Sequence, residues 1–163
     1  MTNNDILRRI RYIFDLNDSK MIAIFDLADH KVTREQISDW LKKDEDIAFQ
    51  KCSDTTLSIF LNGLINDKRG KKEGSQPEPE KHLTNNMIFM KLKIALNLKA
   101  EDVLEIMALA NLSISKHELS AFFRKPGHKH FRECQNQILR NFLKGMQLKY
   151  RAATQLEPDF KWQ

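Results

Sequence analysis

At 163 residues the chain suffices for one compact domain or two small ones, and its composition, 41% hydrophobic and 30% charged with only 5 Gly and 4 Pro, is that of a soluble helical protein. No apolar run approaches the length of a membrane span, and residues 1–11 lack the apolar core of a signal peptide, so a cytoplasmic protein is expected. The formal net charge of +5 points to an acidic partner only where it is concentrated.

The first predicted helix opens at Thr2, whose hydroxyl caps free amides, with Asp5 placed to favour the helix dipole. Ile6, Leu7, Ile10, Ile13 and Phe14 share one face, and Arg8, Arg9 and Arg11 make the opposite face basic. A second helix, near 20–29, carries Met21, Ile22, Ile24, Phe25, Leu27 and Ala28. Apolar on almost every side, it is expected at the centre of a bundle. The third opens with a capping box, Thr33-Arg34-Glu35-Gln36, and buries Ile37, Trp40 and Leu41 before an irregular polar stretch at 43–47. The fourth begins near Ser53-Asp54 and presents Leu57, Phe60, Leu61 and Leu64, with Gly63 inside the apolar pattern. Glycine there costs about 1 kcal/mol relative to alanine, so it marks either a close backbone approach, where the two repeats cross, or an early helix end. Residues 70–82 hold no apolar side chain larger than proline and read as a flexible charged linker.

Thr84-Asn85-Asn86 then repeats Thr2-Asn3-Asn4 at an offset of 82 positions, and the offset holds without a gap. It lays Leu27-Ala28 on Leu109-Ala110, Cys52 on Cys134, Phe60-Leu61 on Phe142-Leu143, Gly63 on Gly145 and Arg69 on Arg151. About a quarter of the paired positions are identical, and most others exchange one apolar residue for another, as a shared core requires. The second copy therefore repeats the four helices, with Ser115-Lys116-His117-Glu118 as its capping box and Pro126-Gly127 breaking the stretch after it. The fold class that follows is all-α: two tandem four-helix repeats, 1–69 and 83–151, packed as a pseudo-symmetric bundle. Each repeat is near the size at which a core becomes marginal, so the halves are expected to share apolar surface. A tail, 152–163, carries Leu156, Phe160 and Trp162, which either fold back on the bundle or offer a sticky end to a partner.

Thr2-Asn3-Asn4-Asp5, Trp40-Leu41-Lys42-Lys43, Cys52-Ser53-Asp54 and Phe60-Leu61-Asn62-Gly63-Leu64-Ile65, closed by Lys68-Arg69-Gly70, resemble the YehS-like bacterial proteins (domain-of-unknown-function family 1456). The resemblance covers essentially the whole chain, with weaker versions of each motif in the second copy. It implies a small cytoplasmic all-helical bacterial protein and carries over no activity.

Charge separates the copies. Residues 1–69 carry 11 Lys/Arg against 12 Asp/Glu, a net of −1, whereas 83–151 carry 12 against 5, a net of +7. A central helix, a turn and a capped third helix also suggest a helix-turn-helix unit, with Ile114-Ser115, Leu119 and Phe122 in the recognition-helix pattern. The turns depart from that pattern: Lys31 and Ser113 stand where glycine is favoured. In the first copy Glu35 and Asp39 oppose phosphate. In the second, Lys116, His117, Arg124, Lys125, Lys129, Arg132 and Arg140 form the candidate nucleic-acid surface, for DNA or RNA. The alternative is a protein-interaction adaptor or a self-associating protein, using the glycine-lined helices or the aromatic tail.

The remaining chemistry is sparse. His128, His130 and Cys134 have soft-ligand spacing, but the first copy has Asp46 and Ala48 at the histidine positions, and the histidines read as an extension of the basic surface. No metal or cofactor is expected. Cys52 and Cys134 read as small buried hydrophobes. With no phosphate loop, nucleophile set or apolar carboxylate pair, the chain is expected not to be an enzyme.

Overall fold

The computed structural model describes residues 1–151. The first repeat consists of α1 (Asn3–Ile13), α2 (Asp18–Leu27), α3 (Arg34–Leu41) and α4 (Asp54–Arg69). The second consists of α5 (Asn85–Ala95), α6 (Ala100–Leu109), α7 (Lys116–Ala121) and α8 (Asn136–Met146), which runs on into a π-helical turn, Gln147–Arg151. No strand is present among the described residues. Leu156, Phe160 and Trp162 of the tail lie outside the described residues.

The local signals act as the sequence predicts. Thr2 and Thr33 close capping boxes at α1 and α3, and Ser115 closes the equivalent one at α7. The turns after the first and second helix of each repeat need one residue in the left-handed region. Asp15 (φ 52°) and Asp29 (φ 58°) supply it in the first copy, Asn97 (φ 53°) and Asn111 (φ 61°) in the second. Asp and Asn tolerate that conformation better than other non-glycine residues. The left-handed residue thus stands two positions before Lys31 and Ser113, the places where the helix-turn-helix pattern favours glycine.

The second helix of each repeat is not buried all round. Met21, Ile24 and Phe25 are inside, Ile22 and Leu27 are half-buried, and Leu109, which matches Leu27, is 49% exposed. Contact between the repeats is made instead by the first and last helices of each: α4 packs against α1, α2 and α5, and α8 against α1, α5 and α6. Each repeat thus lays its first helix on the last helix of the other, α5 on α4 and α1 on α8, and the apolar residues of both form one continuous cluster. The aromatic filling moves between copies. Phe25 of α2 packs on Phe60 at 5.2 Å between ring centroids, whereas Phe89 of α5 packs on Phe142 at 4.6 Å. Met107 stands at the Phe25 position and Leu7 at the Phe89 position, so a large ring gained on one helix accompanies one lost on its neighbour.

Gly63 and Gly145 mark close backbone approaches, but within each repeat and not where the repeats cross. A Cβ on Gly63 would lie 2.9 Å from the carbonyl carbon of Ile24 in α2, and closer still to its oxygen. A Cβ on Gly145 would meet Ile106 of α6 in the same way, 2.8 Å from the carbonyl carbon. A backbone carbonyl cannot swing aside as a side chain can, so glycine is required at both places.

The linker is laid along α4 by polar side chains. Lys71 pairs with Asp29 at 2.6 Å, and Asn66 donates to Gln76 Oε1 at 2.7 Å. Further on, Glu80 accepts from Ser58 and pairs with Lys91 at 3.1 Å, and the Leu83 N–H donates to Asp54 at 3.0 Å.

Candidate nucleic-acid interface

The loop between α7 and α8 carries most of the basic candidates, and its shape is set by asparagine. Asn86, 8% exposed, donates from Nδ2 to the carbonyls of Phe122 (2.9 Å) and Arg132 (2.8 Å) and accepts the Cys134 N–H at Oδ1 (2.9 Å). Asn85 donates to the Cys134 carbonyl and to Asn136 Oδ1, at 3.0 and 2.8 Å. Two side chains at the start of α5 thereby pin both ends of the loop. Asn4 and Asn3 do the same in the first repeat, Asn4 donating to the Trp40 and Gln50 carbonyls and accepting from the Cys52 N–H. The repeated Thr-Asn-Asn showed the duplication in sequence; only the fold shows that it fastens a loop some 36 to 49 residues further on.

All seven candidates are exposed. Arg124, Lys125 and Lys129 stand on the pinned loop, and their side chains make no ion pair with the described residues. Arg132 reaches Glu118 only at 3.9 Å. His117, His128 and His130 gather beside them, with ring centroids 6.4 Å apart for His117 and His130 and 5.5 Å for His128 and His130. Two candidates separate from this group. Lys116 is paired with Glu101 at 2.7 Å, and that bond holds the Glu101 carboxyl below its ordinary pKa. Arg140 lies in a cleft with Arg8 and Arg9 of α1.

Several cations of the first repeat are used internally, whereas Arg9, Lys43, Lys51 and Arg69 make no ion pair with the described residues. Arg8 bridges Asp5 and Asp44, and donates to the carbonyls of Leu41 and Lys42 at 3.2 and 2.7 Å. It ties α1 to the end of α3 and is part of the fold, not an idle member of a polar face. Arg11 pairs with Asp18, Lys20 with Asp67, Lys31 with Asp26 and Lys42 with Asp39.

The cysteines take no part in a site. Both are free and buried, and burial pushes each thiol up to about 12. Cys134 Sγ points to the Gln135 carbonyl, whereas His128 and His130 lie out on the loop. Among the described residues no group of three His, Cys, Asp or Glu side chains is placed to hold a metal ion. No described helix is long and apolar enough to cross a membrane.

A tandem unit of this kind, repeated with its loop-pinning asparagines and helix-crossing glycines intact, defines a helical duplication family. The match is to the family described as protein of unknown function (DUF1456), which covers residues 3–70 and again 85–152, and the chain belongs to it. It is 46% identical over 147 residues to the uncharacterized protein YehS of Escherichia coli (strain K12), covering 90% of this chain and 94% of that protein. No solved structure matches the chain.

Proposed function

We propose that the second repeat associates with nucleic-acid phosphates through the α7–α8 loop, in a cytoplasmic, non-enzymatic role. The observation that carries this reading is the trio Arg124, Lys125 and Lys129. These exposed cations have no ion-pair partner among the described residues and sit on a loop fixed by Asn86. The same loop in the first copy carries Asp44, Glu45 and Asp46. Unpaired cations on a fixed frame release counterions on meeting phosphate without first breaking internal bonds.

The helix-turn-helix reading narrows accordingly. α7 has 6 residues, about 9 Å of helix, too little to lie along a major groove and read several bases. Phosphate contact from the loop, largely independent of sequence, is the mode that the geometry favours for DNA or RNA. The protein-adaptor reading retains one observation: Ile47, fully exposed beside the acidic residues of the first repeat's loop. Its glycines are unavailable, because Gly63 and Gly145 face Ile24 and Ile106 inside each repeat.

The test is a salt titration of binding to random duplex DNA and to single-stranded RNA. Binding should weaken steeply with salt, and Arg124→Glu/Lys125→Glu/Lys129→Glu should abolish it at moderate salt. Neutralising the same three side chains should lower the log–log salt slope by about three. Lys43→Glu/Lys51→Glu in the first repeat should have little effect. Equal losses from both sets would reduce the binding to general attraction by a basic protein. Absence of binding at low salt would leave the adaptor reading.

A further inference from the structure

The loops that follow α3 and α7 make the same backbone turns. In the first repeat the Asp46 N–H donates to the Lys43 carbonyl and the Phe49 N–H to the Asp46 carbonyl, both at 3.0 Å. In the second the His128 N–H donates to the Lys125 carbonyl and the Phe131 N–H to the His128 carbonyl, both at 2.9 Å. A side chain closes each turn. Asp46 Oδ1 accepts the Ala48 N–H at 2.9 Å, and at the same place His128 Nδ1 accepts the His130 N–H at 3.0 Å. The two acceptors differ in chemistry. Ionised or protonated, a carboxyl group keeps an accepting oxygen, whereas an imidazole nitrogen that takes up a proton becomes a donor. Two donors cannot face each other at that distance, so a protonated His128 ring must leave the His130 N–H, and the N–H of this exposed residue passes to water.

His128 does not stand alone. Its ring centroid lies 5.5 Å from that of His130, which lies 6.4 Å from that of His117 on α7. All three are exposed, and they belong to the second copy only, since Glu35, Asp46 and Ala48 hold the equivalent places in the first. The loop around them carries Arg124, Lys125, Lys129 and Arg132 against Glu133. On α7, Glu118 is 3.9 Å from Arg132, and Lys116 is closed off by Glu101 of α6 at 2.7 Å. Imidazolium ions this close repel one another and the neighbouring cations, and an anion laid among them removes that repulsion. We propose, on the nucleic-acid reading above, that the α7–α8 loop is a proton-gated phosphate surface. Protonation swings His128 off the His130 N–H and adds the charges of His117, His128 and His130 to the cations that meet the nucleic-acid backbone. Linkage fixes the sign. A bound polyanion holds these protons more tightly than water does, so affinity is highest below the histidine range, about pH 5 to 8, and is lost as pH rises through it.

The probe is a labelled oligothymidylate strand, whose bases take up no proton in this range, titrated by fluorescence anisotropy with the full chain at about pH 8 and about pH 5.5. Affinity should rise about tenfold or more at the lower pH, with a log–log salt slope steeper by about one to three. His117→Gln/His128→Asn/His130→Gln, whose asparagine can still accept the loop N–H, should bind as the parent does at the higher pH and lose most of the gain at the lower. His82→Gln, in the linker, should keep the gain. In the free chain, the His130 N–H resonance should shift with the titration of the His128 ring, and shift much less in His128→Asn. Circular dichroism at both pH values checks that the variants are folded. Binding indifferent to pH would overturn the gate and leave the loop's fixed cations as the phosphate contact. A gain shared equally by the triple variant would also overturn it, by placing the pH dependence elsewhere in the chain. A His130 N–H that ignores the His128 ring would sink it with no nucleic acid present. No binding at either pH would remove the gate and the nucleic-acid reading together.

Discussion

Asn4 and Asn86 make the same three hydrogen bonds, 82 residues apart, to carbonyls and an N–H that would otherwise be left unpaired. On the loops that these asparagines hold, by contrast, Asp46 faces solvent in one repeat and His128 in the other, and Ile47 in one corresponds to Lys129 in the other. The difference separates two kinds of constraint. Asn4 and Asn86, which satisfy buried backbone, and Gly63 and Gly145, which clear it, have kept their residue type through the duplication, because a buried unpaired amide costs about 1–3 kcal/mol whichever repeat it is in. Arg8, which bonds the Leu41 and Lys42 carbonyls, has not, and Met90 stands at its place. Positions that meet water have diverged in charge: the loop of the first repeat carries Asp44, Glu45 and Asp46, where that of the second carries Pro126, Gly127 and His128.

The comparison breaks most severely at the glycines. Gly63→Leu and Gly145→Leu should each destabilise by about 3 kcal/mol, seen as a fall in Tm of roughly 6–12 °C, since the new side chain must displace a helix backbone. Similar falls for both confirm that the two crossings are equivalent; an unchanged midpoint in either would show that its helices separate easily. Next in size, Asn4→Ala and Asn86→Ala should each cost about 2 kcal/mol in urea unfolding, as one donor and two acceptors lose their partner. A much smaller loss at Asn86 would mean that water reaches the second loop's carbonyls.

The hold of the linker on α4 and α5 responds to acid. The folded-state pKa of Glu80 is depressed, so its contribution is fully present above its ordinary value of 4.5 and is lost as pH falls through the folded-state value. Glu80→Gln should therefore flatten the decline in stability below that pH, by under about 1 kcal/mol because the pair is partly open to solvent. An identical pH profile for the variant would show that the linker contributes nothing to holding α4 on α5. The smallest effect concerns reactivity. With each thiol pushed up to about 12, about one cysteine in ten thousand is thiolate at pH 8, so Cys52 and Cys134 should label slowly with a disulfide reagent until urea unfolds the chain. Rapid labelling of Cys134 alone would reveal opening of the second repeat's loop.

Caps, helix count and duplication were legible because they depend on residues close in sequence or on strict repetition: Thr33 with Gln36, Ser115 with Glu118, Gly63 with Gly145. What a residue touches was not. Gly63 had a packing reason that sequence could state, but its partner, Ile24, is on a helix of the same repeat and not the other. Arg8 reads as a polar-face residue until its bonds to the Leu41 and Lys42 carbonyls are seen, since backbone acceptors leave no trace in composition. The linker's apolar poverty suggested freedom, yet Gln76 and Glu80 find Asn66, Ser58 and Lys91 through polar bonds that no periodicity encodes. The basic surface was legible as net charge. Its division was not, because Arg140 follows α8 across to α1 while Arg124 stays on the loop.

The reciprocal packing of α5 on α4 and of α1 on α8 has the form of an isologous dimer interface, the same patch used twice about a two-fold axis. Joining two such subunits by residues 70–82 replaces a concentration-dependent encounter with a permanent neighbour. It also lifts a restriction that every homodimer carries, in which each substitution appears on both sides at once. A chain bearing −1 on one half and +7 on the other is open only to the fused form, where one half can be altered while its twin keeps the old surface.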